Sequence, residues 1–359
     1  MPGMLKRLFL TVLFLSGTML HAQLSNYQGG DGSLIEEGIK LHDQGKYKEA
    51  IAKYNAALLI DKNNLHALAE KAYSQTELQD YKAAISTCKK ALKIKTNDTE
   101  ALKLVYTTYG NALDLSGNPK VAVKIYDKGL KEHPNFYSLN YNKGVTLSGM
   151  GDWDAAIDAF QLSAQARPSH SSSYLALGRM LVMKNQNIPA LLSYLRFHAI
   201  EPDSRRAKEN FKFVQELVFS NVKKTGENAI SISLPSQSLE EMGKNDKTEN
   251  SFRSIELILS MQSALDLGEN QENMTDVERF EKKLTSMFSM ISETKQGSSG
   301  FYWEFLAPYF AELHSNNYES VLAHLVFSNQ EDEKVNTWLS ENENRVRSFC
   351  EWSSGYKWR

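Results

Sequence analysis

Small residues recur along the first half of this chain at a spacing of 34, and that recurrence constrains the fold more than any other feature. Aligned on the small residue of each second helix, residues 31–64 carry Gly38, Ala50, Tyr54 and Ala57. Residues 65–98 carry Ala72, Ala84, Cys88 and Ala91. Residues 103–136 carry Gly110, Ala122, Tyr126, Gly129 and Pro134, and residues 137–170 carry Gly144, Ala156, Phe160, Ser163 and Pro168. Residues 171–204 close the series with Gly178, Ala190, Tyr194, Phe197 and Pro202. Four extra residues, 99–102, interrupt the period once. Steps of three and four return to one side of a helix, so Ala50, Tyr54 and Ala57 share a face on which a second helix can come close. Each block reads as helix, turn, helix. The turns are Gln44-Gly45-Lys46, Gln79-Asp80, Ser116-Gly117-Asn118-Pro119 and Gly151-Asp152. Asn118 before Pro119 has the form of an N-cap and first-turn pair. One such hairpin cannot bury its own apolar face, so neighbouring hairpins must stack.

This pattern resembles the tetratricopeptide repeat family: small residues at block positions 8, 20 and 27, an aromatic at 24 and proline at 32. Cys88 replaces the aromatic, Phe197 fills a small position, and the first two blocks lack the proline. The resemblance implies an all-α solenoid of five repeats over residues 31–204, with its first (A) helices lining a concave surface that takes a peptide or protein segment. Residues 205–223 place Phe211, Val214, Leu217 and Val218 at helical spacing and are expected to cap the array.

The rest of the chain divides differently. Lys6 and Arg7 precede an apolar run from Leu8 to Leu15, and Ala22 offers a cleavage point, so residues 1–22 have the form of a signal peptide. The expected protein is therefore exported, to the periplasm or beyond, with no stable membrane span after cleavage. Residues 224–250 lose helical period and are expected to form a linker, with one short strand at 230–234. Residues 251–359 return to helical stripes and are expected to form a separate helical domain, or degenerate hairpins that extend the solenoid. The aromatic cluster from Phe301 to Phe310 follows such a stripe and is expected to be core.

The 359 residues carry a formal net charge of -2, which calls for no nucleic-acid partner. After the leader, residues 23–204 sum to +2 and residues 205–359 to -6. The two cysteines, Cys88 and Cys350, are far apart, and Cys88 lies on an apolar face as a buried thiol would.

No His-Glu-x-x-His pair, nucleophile elbow or phosphate loop is present, and nothing calls for a cofactor or metal. Asp152, Asp154 and Asp158 lack the glycine and glutamate of a calcium loop. His314 and His324 show no acid partner at a useful spacing. The expected function is a non-catalytic scaffold binding a protein or peptide segment. An envelope enzyme with its site in residues 251–359, or a structural subunit of an envelope or secretion assembly, are the other classes.

The resemblance also implies where binding occurs. Positions 2, 5, 9 and 12 of the A helices supply Tyr73; Leu104, Thr107, Asn111 and Asp114; Tyr141, Val145 and Ser148; and Leu175 and Arg179. Position 6 adds Asn142. Asn111 and Asn142 match the asparagines that hold a ligand backbone in peptide-binding members. The lysine and arginine of the family's carboxylate clamp are replaced by Thr107, Ser172 and Ala176, so an internal segment is the expected ligand. The expected partner-binding set is Tyr73, Thr107, Asn111, Tyr141, Asn142 and Arg179.

Overall fold

The structure, a computed structural model, describes residues 30–219, 222–226, 229–232, 250–268, 274–293 and 299–358. The signal-peptide expectation for residues 1–22 lies outside the described residues. No described helix is long and apolar enough to cross a membrane. Among the described residues the fold is all-α apart from one short β-hairpin, and the chain divides into two compact units, one ending at Arg167 and one beginning at Pro168.

In the first unit four helical hairpins follow one another: α1 (Gly30–Asp43) with α2 (Tyr47–Ile60), α3 (Leu65–Glu77) with α4 (Tyr81–Ala91), α5 (Thr99–Leu115) with α6 (Pro119–Glu132), and α7 (Tyr137–Met150) with α8 (Trp153–Ala166). The A helices α1, α3, α5 and α7 also pack on one another in sequence, which aligns them along one face. The four extra residues, 99–102, form an added first turn of α5. An insertion of four is close to one helical turn, so the faces downstream keep their direction.

Every hairpin turns through the same geometry. Block position 15 is left-handed in each: Gly45 (φ 73°), Gln79 (64°), Gly117 (85°), Gly151 (83°) and, in the second unit, Asn185 (55°). The next residue's N–H reaches five residues back, as Lys46 to the Leu41 carbonyl at 2.9 Å and Asp80 to Gln75 at 2.9 Å, which satisfies a carbonyl at the helix end. Asn64, Asp80, Asp98 and Asp152 cap the following helices through their side chains. Asn118 does not: its amide turns back to Ser116, and Pro119 alone starts α6.

The small residue at position 8 has a direct cause. A Cβ on Gly38, Gly110, Gly144 or Gly178 would lie at 2.9 Å or less from the ring of Tyr54, Tyr126, Phe160 or Tyr194 respectively. In the second block position 8 is Ala72, and position 24 is the small Cys88; both are fully buried. Volume is exchanged between the two positions while the helix approach is kept. Burial pushes the Cys88 thiol up to about 12, the inert behaviour expected of it.

The second unit begins with the fifth hairpin, α9 (Ser171–Met183) and α10 (Asn187–Ile200), followed by α11 (Arg205–Phe219), β1 (Val222–Gly226) and β2 (Ala229–Ile232). Then come α12 (Arg253–Gly268), α13 (Asp276–Glu293), a π-helical turn at Tyr302–Leu306, α14 (Ala307–Ser315), α15 (Glu319–Phe327), α16 (Glu333–Glu341) and α17 (Glu343–Gly355). The sequence places the division of the chain at a linker over 224–250; the compact unit instead starts at Pro168, and the fifth block packs with the C-terminal helices. The physical reason is that α10 is apolar almost all round. Ile188, Leu191, Leu192, Tyr194, Leu195 and Phe197 are each at most 4% exposed, covered by α9, α11, α15 and the π turn. Helix α11 ends at Phe219 rather than 223; its Phe211 meets Phe327 of α15 at 4.8 Å, while Arg205, Lys208, Glu209 and Lys212 stay exposed, so it covers the fifth hairpin with one face, packs on α15 and keeps a polar face to solvent. Within the expected linker, β1 and β2 pair antiparallel with Val222 opposite Ile232; residues 233–249 lie outside the described residues.

Helices α14 and α15 repeat the hairpin turn of the first unit. Asn317 is left-handed (φ 54°), and Tyr318 N–H reaches back five residues to the Leu313 carbonyl at 3.1 Å. The small residues of the repeat are missing there, because Phe310 and Leu322 stand at positions 8 and 20 counted from that turn.

Candidate functional site

The expected binding residues divide between the two units. Tyr73, Thr107, Asn111, Tyr141 and Asn142 stand on α3, α5 and α7 of the first unit. Arg179 stands on α9 of the second, where its guanidinium contacts Asn210 Oδ1 at 3.4 Å from two nitrogens. Arg179 is thereby held by α11, within the packing of its own unit.

On the A-helix face of the first unit several side chains are committed to the fold. Thr107 donates to the Lys103 carbonyl of its own helix at 2.8 Å. Asn111 Oδ1 accepts the Tyr126 hydroxyl at 2.7 Å. Thr146 donates to Asp114 Oδ2 at 3.0 Å, linking α7 to α5. Tyr141 is 8% exposed and its ring lies 5.6 Å from that of Phe160. Ser148 is buried, as is Leu175 on α9 of the second unit. Asn142, Leu104 and Val145 are half-buried and border the solvent side of this face. Asn111 is therefore a structural partner of the core tyrosine.

The first two repeats collect a second set of groups that the spacing argument passed over. The ring of Tyr73 lies 4.5 Å from that of His42, and Tyr47 meets His42 edge-on at 5.1 Å. His42 Nδ1 is 2.7 Å from the Ser74 hydroxyl. Glu70 is 9% exposed, and burial, followed by the charge of Asp43, pushes its carboxyl up to about 7. Burial also raises Glu77. Tyr73 is raised first by burial and then by Glu77 and Glu70. Tyr54 is fully buried, yet its hydroxyl has no hydrogen-bond partner. The signal for Glu70 was present in the sequence: it occupies position 6, the same register as Asn142.

In the second unit the residues 301–310 are core, as their stripe predicts: Phe301, Tyr302, Trp303, Phe305, Leu306, Tyr309 and Phe310 are all at most 9% exposed. Trp303 stacks on Phe252 at 4.2 Å. The expectation that His314 lacks an acid is corrected, since its Nδ1 meets Glu319 at the start of the next helix, a spacing of five bridged by the turn. His324 stacks on Trp338 at 3.8 Å, and its Nδ1 faces the Ser320 carbonyl at 2.7 Å. Among the described residues no group of three His, Cys, Asp or Glu is placed to hold a metal ion.

Two tetratricopeptide repeat models match the chain, at residues 41–105 and 110–171. A small glutamine-rich tetratricopeptide repeat-containing protein of Dictyostelium discoideum is 32% identical over 102 residues, 28% of this chain and 29% of that protein. A probable UDP-N-acetylglucosamine–peptide N-acetylglucosaminyltransferase SPINDLY of Hordeum vulgare is 28% identical over 153 residues, 38% of this chain and 15% of that protein. The chain thus spans less than a third of the length of either relative. Among solved structures, PilW, a type IV pilus biogenesis factor, aligns over 52% of this chain and 86% of its own, at 20% identity and a TM-score of 0.45. Residues 41–105 and 110–171 of this chain are thus tetratricopeptide repeats.

Proposed function

We propose that this protein is an exported, non-catalytic scaffold that binds an internal segment of another protein along the A-helix face of its repeats. The observation that carries the reading is the contrast along that face. Asn111, Thr107 and Asp114 are spent on internal bonds, while Asn142, Leu104, Val145 and Tyr73 are half-buried on α3, α5 and α7. An amide beside apolar side chains suits a backbone that needs both a donor and an acceptor. Export rests on the leader-like residues 1–22, and the native protein is expected to begin at Gln23, in the periplasm or outside the cell.

The test uses the mature protein as bait on an envelope fraction, with quantitative mass spectrometry. Asn142→Ala together with Tyr73→Ala is expected to weaken retention of the partner by about thirtyfold, as the loss of a hydrogen bond and a ring contact of about 1 kcal/mol each implies. The control is Leu59→Arg, at a side chain 89% exposed on α2, which is expected to leave retention unchanged. Equal retention by the double variant would place binding elsewhere.

A further inference from the structure

Helix α16 has one buried side chain, Val335. One turn on, the half-buried Trp338 lies flat against the ring of His324 on α15, with ring centres 3.8 Å apart and planes at 17°. Apart from the half-buried Leu339, the other residues of the helix are exposed. His324 itself is 5% exposed. Its Nδ1 is 2.7 Å from the Ser320 carbonyl of its own helix, so Nδ1 carries the ring hydrogen and Nε2 is the atom that gains a proton. A charged imidazole needs water, and Trp338 covers one face of this ring. Burial holds the His324 pKa below the ordinary 6.5; the Ser320 carbonyl, Glu278 of α13 and Asp332 at the start of α16 pull the other way and are outweighed. Lys334 of α16 acts in turn on Glu278.

We propose that α16 is an acid-released latch: a proton on His324 breaks the stack with Trp338, and α16 lifts from α15 with Val335 and Trp338 uncovered while the rest of the unit stays folded. The folded ring takes its proton at a lower pH than the unfolded chain does, so docking of α16 is complete above 6.5 and weakens as pH falls below it. His198, buried in α10, is held down to about 4 by burial, so α10 keeps its neutral ring while the latch opens. The latch is independent of the groove on the first unit.

Hydrogen exchange of the full-length chain, read by mass spectrometry at about pH 7.5 and about pH 5.5 and corrected for the pH dependence of intrinsic exchange, tests this. Residues 333–341 are expected to exchange about fivefold faster at the lower pH, with α10 and α13 unchanged. In His324→Phe, which keeps a flat ring under Trp338 and takes no proton, the gain is expected to vanish. Trp338 emission, taken as wild type minus Trp338→Phe, is expected to change over the same range and to be flat on a His324→Gln background. That second reading does not depend on the phenylalanine variant folding. No gain in residues 333–341, an equal gain in His324→Phe, or a gain shared by the whole unit would overturn the latch. Slower exchange at the lower pH would overturn it too, since the attraction of the charged ring for the indole would then have won.

Discussion

The Tyr126 hydroxyl donates to Asn111 Oδ1 at 2.7 Å, while the equivalent Tyr54 hydroxyl, equally buried, faces no partner because position 9 of its block is Ile39. The same substitution should therefore have opposite signs at the two sites. Tyr126→Phe is expected to cost about 1 kcal/mol and Tyr54→Phe to cost nothing or to stabilise. Asn111→Ala is expected to cost about 1 kcal/mol as well, so Asn111 is a poor probe of binding. Urea titrations of the three variants measure this.

The exchange of volume between positions 8 and 24 gives a second expectation. Gly110→Ala should destabilise by about 1–3 kcal/mol, because its Cβ runs into the Tyr126 ring. In a Tyr126→Cys background the same change should become neutral or favourable, reproducing the Ala72 and Cys88 pairing, since alanine is then simply the better helix former. A double-mutant cycle by thermal unfolding reads the coupling.

Glu70 and His198 give the two units opposite responses to pH. Burial holds the folded Glu70 carboxyl up near 7 against an ordinary 4.5, so its folded form keeps a proton that the unfolded chain has lost. Stability from this group is present below 4.5 and falls as pH rises to about 7, by up to about 3 kcal/mol. Burial holds His198 down near 4 against an ordinary 6.5, so stability falls as pH drops through that window. Its two ring nitrogens are buried without partners. Glu70→Gln should flatten the loss toward neutral pH in the first unit. His198→Leu should flatten the acid loss in the second. Amide exchange of residues 65–77 and 187–200 across pH 4.5–7.5 separates the two.

Arg196 anchors the second unit from within. It is 3% exposed, its Nη1 donates to Ser353 Oγ at 2.8 Å, and its guanidinium lies 4.6 Å from the Tyr309 ring and 4.9 Å from that of Trp358. Arg196→Ala is expected to cost about 3 kcal/mol, because it empties a packed ring cage and removes the bonds to Ser353 Oγ and the Pro168 carbonyl. Lysine should rescue little, having no planar group to stack. Near-ultraviolet circular dichroism of the tryptophans reports the change.

The repeat was legible because its cause is steric. A ring at position 24 forces a small residue at 8, and that pair survives translation into letters even when it becomes Ala72 with Cys88. The turns at 45, 117 and 151 were legible as glycines and that at Gln79-Asp80 from the period, but Asn185 and Asn317 adopt the same left-handed conformation without glycine, and without the small residues at positions 8 and 20 the hairpin of α14 and α15 could be read only as two helical stripes. The unit boundary at residue 168 was hidden because α10 obeys the repeat spacing while burying its outer face as well, and only tertiary packing reveals what covers it. At the site, spacing named Asn142 and Tyr73, which are half-buried on α7 and α3. It could not tell that Asn111 is spent on Tyr126, since that bond joins side chains 15 residues apart.

The central claim is that partners bind on the A-helix face. A photo-crosslinking residue placed at position 142, on α7, tests it against one placed at position 59, on the exposed side of α2, both in the full-length chain in its native compartment. The account expects position 142 to capture a discrete partner band, competed by an excess of unlabelled protein, and position 59 to capture none. Crosslinks from position 59 with none from position 142 would contradict it.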